Sequence, residues 1–355
     1  MRIKVLFTGG TIGSSVGEGV ISTDTAAAGK LLIDNYLKHS TSPNRDKVDF
    51  VVEEPYTCLS EDLTVETWNK LIVALRGLHW DHYDGLIITH GTDTMAYTAN
   101  LLSILLAGVH LPVVLVGSNY VLTDKRANGN QNFSDAVDFI ASRSYPGVYV
   151  IFSGRVYLGS RILQCRSFTD EYPTVSGADF AHMENGKILP VEDRFNPTEE
   201  QVLSVSGALR PLVYEIPPLR PSVMLLQPYV GLDYRDIRPG AQIQAVLHGL
   251  YHSATACVGE DGPLSQNSIL SLCKRCQEEG KLLFIAPFKQ ALLENEDQYA
   301  TTSEMLRYGV QMACDMSVEA AYAKLLIATV LYGADGEKCA AFMNQNFFFE
   351  RLIEY

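Results

Sequence analysis

Gly85-Leu86-Ile87-Ile88-Thr89-His90-Gly91-Thr92-Asp93-Thr94 is the stretch that decides how this chain is read. A short apolar run ends in a histidine, a glycine and two hydroxyls flanking a carboxylate, and a long apolar stretch, residues 94–106, follows at once. An apolar run of this length bounded by turn residues reads as a buried strand, and the stretch behind it is long enough for a helix. The pattern recurs on both sides. Residues 3–7 form a strand closed by Thr8-Gly9-Gly10-Thr11. Residues 64–78 form a helix that Thr64 can cap, with Glu66 and Thr67 in its first turn and Trp68, Leu71, Ile72 and Leu75 on one face. Residues 111–116 and 148–152 are further strands. Such alternation predicts an α/β protein with mostly parallel sheets.

At 355 residues the chain exceeds one ordinary core and is expected to form two α/β domains. Prolines 190, 197, 211, 217, 218 and 221 crowd a stretch of mixed polarity, which breaks regular structure. The expected division is a larger N-terminal domain over residues 1–195, a connection over 196–220 and a smaller C-terminal domain over 221–355. In the latter, residues 223–226, 243–247 and 282–285 read as strands and 265–278 and 317–331 as helices. No internal repeat or low-complexity tract is visible.

Composition narrows the function. A net charge of −13 disfavours nucleic acid as a partner. No run approaches the roughly 18 apolar residues of a membrane span, and Met1-Arg2-Ile3-Lys4-Val5-Leu6-Phe7 lacks a signal peptide's apolar core, so a cytoplasmic location is expected. The seven cysteines form no metal spacing: Cys273 and Cys276 are the one close pair, without a second pair or a histidine cluster. No metal site is expected, and scattered thiols suit a reducing compartment.

Ligands of open parallel sheets bind at the carboxyl ends of strands. Two such ends carry chemistry here. Thr8-Gly9-Gly10-Thr11-Ile12-Gly13 is either a glycine-rich turn or a site; it lacks the spacing of a dinucleotide fingerprint. His90-Gly91-Thr92-Asp93-Thr94-Met95 has a structural reading, with Thr92 or Asp93 capping the next helix at the positive end of its dipole. Capping explains one of these residues and leaves the others. A threonine beside an aspartate is also half of an activated-nucleophile set.

TGGTIG at 8–13 followed by HGTDTM at 90–95 resembles the paired signature of the bacterial-type L-asparaginase family. YDGLIITHGTDTMAYTA, LPVVLVGS and MSVEAAYAKL resemble its type I, cytoplasmic branch. The resemblance implies a cofactor-free amidohydrolase that converts L-asparagine to L-aspartate and ammonia, built as a homodimer or homotetramer. It implies Thr11 as nucleophile and Thr92 and Asp93 as the second hydroxyl and its carboxylate, with Asp93 also holding the substrate ammonium. Ser60 matches the serine on the α-carboxylate, Glu61 lies beside it, and Gly10 and Gly91 line the substrate. Oxyanion donors come from the Gly10–Ile12 turn or the Thr92–Asp93 junction.

Three departures qualify the match. The family's loop tyrosine is replaced by Gly19-Val20-Ile21, which makes Tyr299 the candidate to assist Thr11. Gln164 stands where the family has lysine; Arg166 would share its strand face if the segment is extended and could restore the charge, although not as a base. His252 and Ser253 lie in a loop that in type I relatives approaches a neighbouring subunit's site. The alternatives to asparagine hydrolysis are glutamine or a related amide, and a weakly active protein that binds an amino acid as a sensor. A tRNA-dependent amidotransferase subunit is disfavoured by the acidity and the missing N-terminal extension.

Overall fold

β1 (Arg2–Phe7) buries every side chain from Ile3 to Phe7, as a strand covered on both faces must. It lies inside an eight-stranded sheet in a computed structural model that describes residues 1–17, 20–23, 25–165, 171–289, 291 and 300–354. The chain forms two compact units: Met1–Glu215 with Phe347–Phe349 and Ile353–Tyr355, and Ile216–Asn346 with Glu350–Leu352.

In the first unit β1 is followed by a hairpin of β2 (Ser14–Gly17) and β3 (Val20–Thr23), then α1 (Thr25–His39) and β4 (Asp49–Glu53). Next come α2 (Val65–Arg76), β5 (Gly85–Thr89), α3 (Met95–Leu105), β6 (Pro112–Val116), α4 (Gly129–Ser142) and β7 (Gly147–Phe152). β8 (Arg155–Leu158), β9 (Ala181–Glu184) and β10 (Lys187–Pro190) extend the sheet antiparallel, giving the order β10-β9-β8-β7-β6-β5-β1-β4. The five strands β4, β1, β5, β6 and β7 are parallel. The chain leaves β1 toward β4 and then returns past it to β5. The direction of winding therefore reverses between β1 and β5, where an open sheet opens its ligand crevice.

One crossover runs against the usual hand. Phe7 of β1 packs on Gly29 of α1, and Gly85 of β5 packs on Ile140 of α4. Ile3 pairs with Gly85 and Phe7 with Thr89, so α1 and α4 share a sheet face. α2 and α3 are tied to each other by the Trp68 Nε1–H donating to Thr98 Oγ1 at 2.9 Å. Ser103 of α3 approaches Gly159 beside Val148, on the other face from α4. β5-α3-β6 and β6-α4-β7 step the same way with helices on opposite faces, so their hands differ. The α3 connection shares its hand with those of α1 and α2, leaving β6-α4-β7 as the left-handed one. Its outgoing loop passes the β5 turn: a Cβ on Gly117 would lie 3.0 Å from the His90 carbonyl oxygen and 3.2 Å from the Thr92 methyl.

α2 realises its pattern. Thr64 Oγ1 accepts from the Thr67 N–H in a capping box, and Trp68, Leu71, Ile72 and Leu75 are the buried face. The stretch read as a connection, 196–220, contains α5 (Glu199–Val205), and its Val202 and Val213 are buried.

The second unit carries β11 (Val223–Leu226), β12 (Ala245–Gly249), β13 (Leu282–Phe288) and β14 (Gln311–Cys314), all parallel and in sequence order. Its helices include α6 (Ile269–Glu278), α7 (Ala300–Arg307), α8 (Val318–Tyr332) and α9 (Gly336–Asn344). α6 begins four residues later than its apolar pattern implies, because Ser268 is the cap and accepts from the Leu270 N–H at 3.1 Å. Cys273 and Cys276 belong to this unit's apolar core, and burial pushes their thiols up to about 11 and 12. Among the described residues no helix is long and apolar enough to cross a membrane.

The turns after β1 and β5 touch through glycine. Gly10 has φ 74°, and a Cβ there would sit 2.3 Å from the Gly91 nitrogen and 2.4 Å from its Cα. A Cβ on Gly91 would in turn lie 2.4 Å from the Ser60 Cβ. Gly10→Ala must push the turns apart and is expected to destabilise by roughly 2–4 kcal/mol in denaturant unfolding. Gly177→Ala, at φ 84° with nothing within 4 Å of its Cβ, adds backbone strain alone and is expected to cost about 1 kcal/mol.

Candidate active site

Three segments converge at the reversal point. The first is the β1 turn. Thr8 Oγ1 donates to the Thr89 carbonyl at 2.5 Å, tying the ends of β1 and β5 together. Gly9 bridges Cys58 in parallel register, and the Gly10 N–H donates to the Cys58 carbonyl at 3.0 Å. Thr11 opens a 3-10 turn, Thr11–Gly13, and is half-buried. The second segment, Cys58 to Asp62, brings Ser60, which is buried at the start of a 3-10 turn, with Glu61 and Asp62 exposed beside it. Burial and the charges of Asp62 and Glu61 hold the Cys58 thiol above its ordinary range.

The third segment is the β5 turn, and here the capping reading fails. Thr94, not Thr92 or Asp93, occupies the N-cap of α3, and no side chain caps that helix. The Thr94 hydroxyl donates to the Ser60 carbonyl at 2.9 Å, and the Ser60 hydroxyl donates to Asp93 Oδ2 at 2.7 Å. Asp93 is exposed and Thr92 half-buried. Among the described residues, the hydroxyls of Thr11 and Thr92 have no protein partner, nor do the N–H groups of Thr92 and Asp93. A half-buried polar run at a helix start that leaves the helix uncapped has been shaped for something other than the helix.

His90 supports this turn without taking part as an acid or base. Burial pushes its imidazole down to about 4. Nδ1 lies 2.8 Å from the Gly91 carbonyl oxygen, which can only accept, so Nδ1 carries the proton. Nε2 then accepts from Thr98 Oγ1 at 2.9 Å, and that oxygen accepts from Trp68. The chain of bonds runs from α2 to the Gly91–Thr92 peptide.

Tyr172, absent from the sequence reading, also reaches the turn. Its hydroxyl donates to the Thr92 carbonyl at 3.0 Å from a buried position eighty residues away, and nothing in the pattern around it marks it. Gln164 is exposed and lies outside the strands. Arg166, Gly19 and Tyr299 lie outside the described residues, so the expectations attached to them stay with the sequence. The Val20–Ile21 backbone belongs to β3. In the second unit, the Leu250–Thr255 loop is closed by the Tyr251 N–H donating to the Thr255 carbonyl at 2.9 Å, with Tyr251, His252 and Ser253 exposed.

The chain matches the family profile described as "Asparaginase, N-terminal" over residues 2–187, more than half its length. It belongs to the L-asparaginase family. It is 28% identical over 334 residues to the L-asparaginase of Thermococcus kodakarensis (strain ATCC BAA-918 / JCM 12380 / KOD1), covering 92% of each chain. It is 36% identical over 162 residues to L-asparaginase 1 of Escherichia coli (strain K12), covering 45% of this chain and 46% of that one. The solved thermostable L-asparaginase from Thermococcus kodakarensis superposes with a TM-score of 0.77 at 25% identity, over 99% of each chain. The two-unit α/β architecture is thus the asparaginase fold, and in it the TGGTIG and HGTDTM turns adjoin through Gly10 and Gly91.

The buried imidazoles have a consequence for stability. In the second unit His248, at the end of β12, is also pushed down to about 4 by burial. Both folded values lie below the ordinary 6.5, so the unfolded chain binds these protons more readily and stability falls as pH drops from about 6.5 to 4. Asp135, buried in α4 and raised to about 6, acts in the opposite sense and offsets one of the two. Urea unfolding is expected to lose about 1.4 kcal/mol per pH unit between pH 6 and 4.5. His90→Asn keeps an amide donor for Gly91 and does not titrate, so it should flatten that slope.

Proposed function

We propose that this asparaginase-family chain hydrolyses the side-chain amide of a small amino acid, L-asparagine first among them, through an acyl-enzyme on Thr11. The observation that carries the reading is the β5 turn: three consecutive polar residues decline to cap α3, while Asp93 takes the Ser60 hydroxyl and Thr92 keeps its own free. Thr11 Oγ attacks the amide carbon, the C–N bond breaks, and ammonia departs with a proton. Water then cleaves the Thr11 ester to release aspartate. Covalent catalysis of this kind divides one difficult hydrolysis into two easier ones.

The ground state is held by charge. Asp93 takes the α-ammonium, and the Ser60 hydroxyl turns from Asp93 to donate to the α-carboxylate when the ligand binds, with Glu61 adding negative potential on the ammonium side. The Gly10 N–H is already given to Cys58, whereas the Thr92 and Asp93 N–H groups lack protein acceptors among the described residues. This favours the Thr92–Asp93 junction as the source of oxyanion donors, each worth about 3 kcal/mol in comparable acyl-transfer sites. Tyr299 is given the task of assisting Thr11. The reading requires no cofactor, and it carries a cytoplasmic location and a homodimeric or homotetrameric state as further proposals.

A second reading rests on Gln164. An amide in place of the family's lysine cannot supply positive charge beside Asp93 and Thr92, so the chain would bind an amino acid and turn it over slowly, as a sensor does. Glutamine in place of asparagine is a variant of the first reading, since one methylene changes affinity by only about 1–3 kcal/mol.

Ammonia release from purified protein with each amide separates these readings. Turnover of asparagine that falls about 10³-fold or more in Thr11→Ala is the expected result. A Thr11→Ala variant at full activity contradicts the nucleophile. Tight calorimetric binding of asparagine and aspartate without ammonia supports the sensor, and in that case Gln164→Lys is expected to raise turnover about 10²-fold, the lower end of the range for a positioned acid–base group.

A further inference from the structure

Nothing in the family signature marks Tyr172, yet it makes a direct side-chain bond to the backbone of the catalytic turn. The Tyr172 ring is 3% exposed, set edge-on against Phe152 at 5.3 Å and Tyr157 at 6.0 Å between ring centres. Its segment is fastened on both sides. The Leu163 N–H donates to the Pro173 carbonyl at 2.8 Å and the Val175 N–H to the Arg161 carbonyl at 3.0 Å, with Ile162 and Thr174 bridged. The Arg155 guanidinium pairs with Glu171 at 2.9 Å and with Asp179 at 2.6 Å. The phenol therefore has little freedom to leave the Thr92 carbonyl.

We infer that Tyr172 is a positioning residue for the proposed amidohydrolase site: by holding the Thr92 carbonyl it fixes the plane of the Thr92–Asp93 peptide, and with it the direction of the Asp93 N–H and the placing of Thr92. A peptide C=O and the N–H that follows it are coplanar and point oppositely, so a donor on one aims the other. His90 does the same for the preceding peptide through the Gly91 carbonyl. Two consecutive peptides are thus oriented by side chains from separate parts of the fold. The N–H groups of both, those of Thr92 and Asp93, are the ones without protein acceptors among the described residues. Burial holds the Tyr172 phenol protonated well above the ordinary tyrosine range, so the donor persists at neutral and alkaline pH. Tyr172 also belongs to the paired segments that carry Gln164. In this chain that region acts on the turn through a neutral hydroxyl.

The inference rests on the amidohydrolase reading for its kinetic arm and on the structure alone for the other. Tyr172→Phe keeps the ring and removes the donor. Its kcat for asparagine is expected to fall about tenfold or more at a KM within about twofold, since sub-ångström to ångström misplacement of reacting groups costs up to about 10²-fold. Its melting temperature is expected to stay within about 4 °C, the scale of one lost hydrogen bond. A crystal structure of the variant, set beside one of the parent, is expected to show the Thr92 carbonyl rotated or split over two positions. An unmoved carbonyl overturns the inference whatever the activity, and so does an unchanged kcat in a parent that turns asparagine over. If the parent releases no ammonia from any amide, the amidohydrolase reading falls, and the carbonyl position alone decides for or against Tyr172.

Discussion

The contact on which this molecule depends is the one between the backbones of Gly10 and Gly91. Two turns more than eighty residues apart meet with no side chain between them, which only glycine on both sides permits. Closeness at this point brings together the turns that carry Thr11 and Thr92, and the sheet makes the approach possible. β1 and β5 are neighbours, their ends are tied by the Thr8–Thr89 bond, and winding reverses between them. The left-handed β6-α4-β7 crossover adds the loop whose Gly117 closes on His90 and Thr92 from the far side. Geometry this tight is a property of backbone packing, and the hydroxyls ride on it.

Around that contact the polar groups are organised to support the backbone. Ser60 is bonded twice by the β5 turn, through its hydroxyl to Asp93 and its carbonyl to Thr94. His90 is a neutral strut, and the second unit repeats the device. His248, the penultimate residue of β12, bonds the carbonyl of its own following glycine, Gly249, through Nδ1, and accepts from the Tyr234 hydroxyl at Nε2. Each unit therefore places His-Gly close to the end of a fully buried parallel strand, with a buried donor behind the ring. In both, the imidazole gives a donor to the carbonyl of the glycine that follows it.

Much of the fold was legible in the sequence because its strands are buried on both faces and its helices punctuated. β5, β6 and β7 read as uninterrupted apolar runs, and Thr64 and Ser317 stand where caps belong. What escaped was polar. α4 buries Asn132, Ser134, Asp135 and Asp138, so its pattern does not look like a helix with a dry face; Ser134 bonds Ser40 and Asp138 accepts from Asn44 on the α1 side, Asn132 donates to the Gly117 carbonyl, and Asp135 accepts from Gln131 of the same helix. The antiparallel strands β8 to β10 are short and interrupted by turns. At the site, the two glycine-rich turns and Ser60 could be named from sequence, whereas Tyr172 could not. A tyrosine in an irregular acidic stretch carries no local sign of a partner eighty positions away.

The central claim is that the β1 and β5 turns grip one small amino acid between them. A crystal structure with bound L-aspartate tests it most directly. The account predicts the ammonium on Asp93, the α-carboxylate on Ser60, and the side-chain carboxylate between the hydroxyls of Thr11 and Thr92. Aspartate seated elsewhere in the molecule, or reversed with its α-carboxylate toward Asp93, would contradict it.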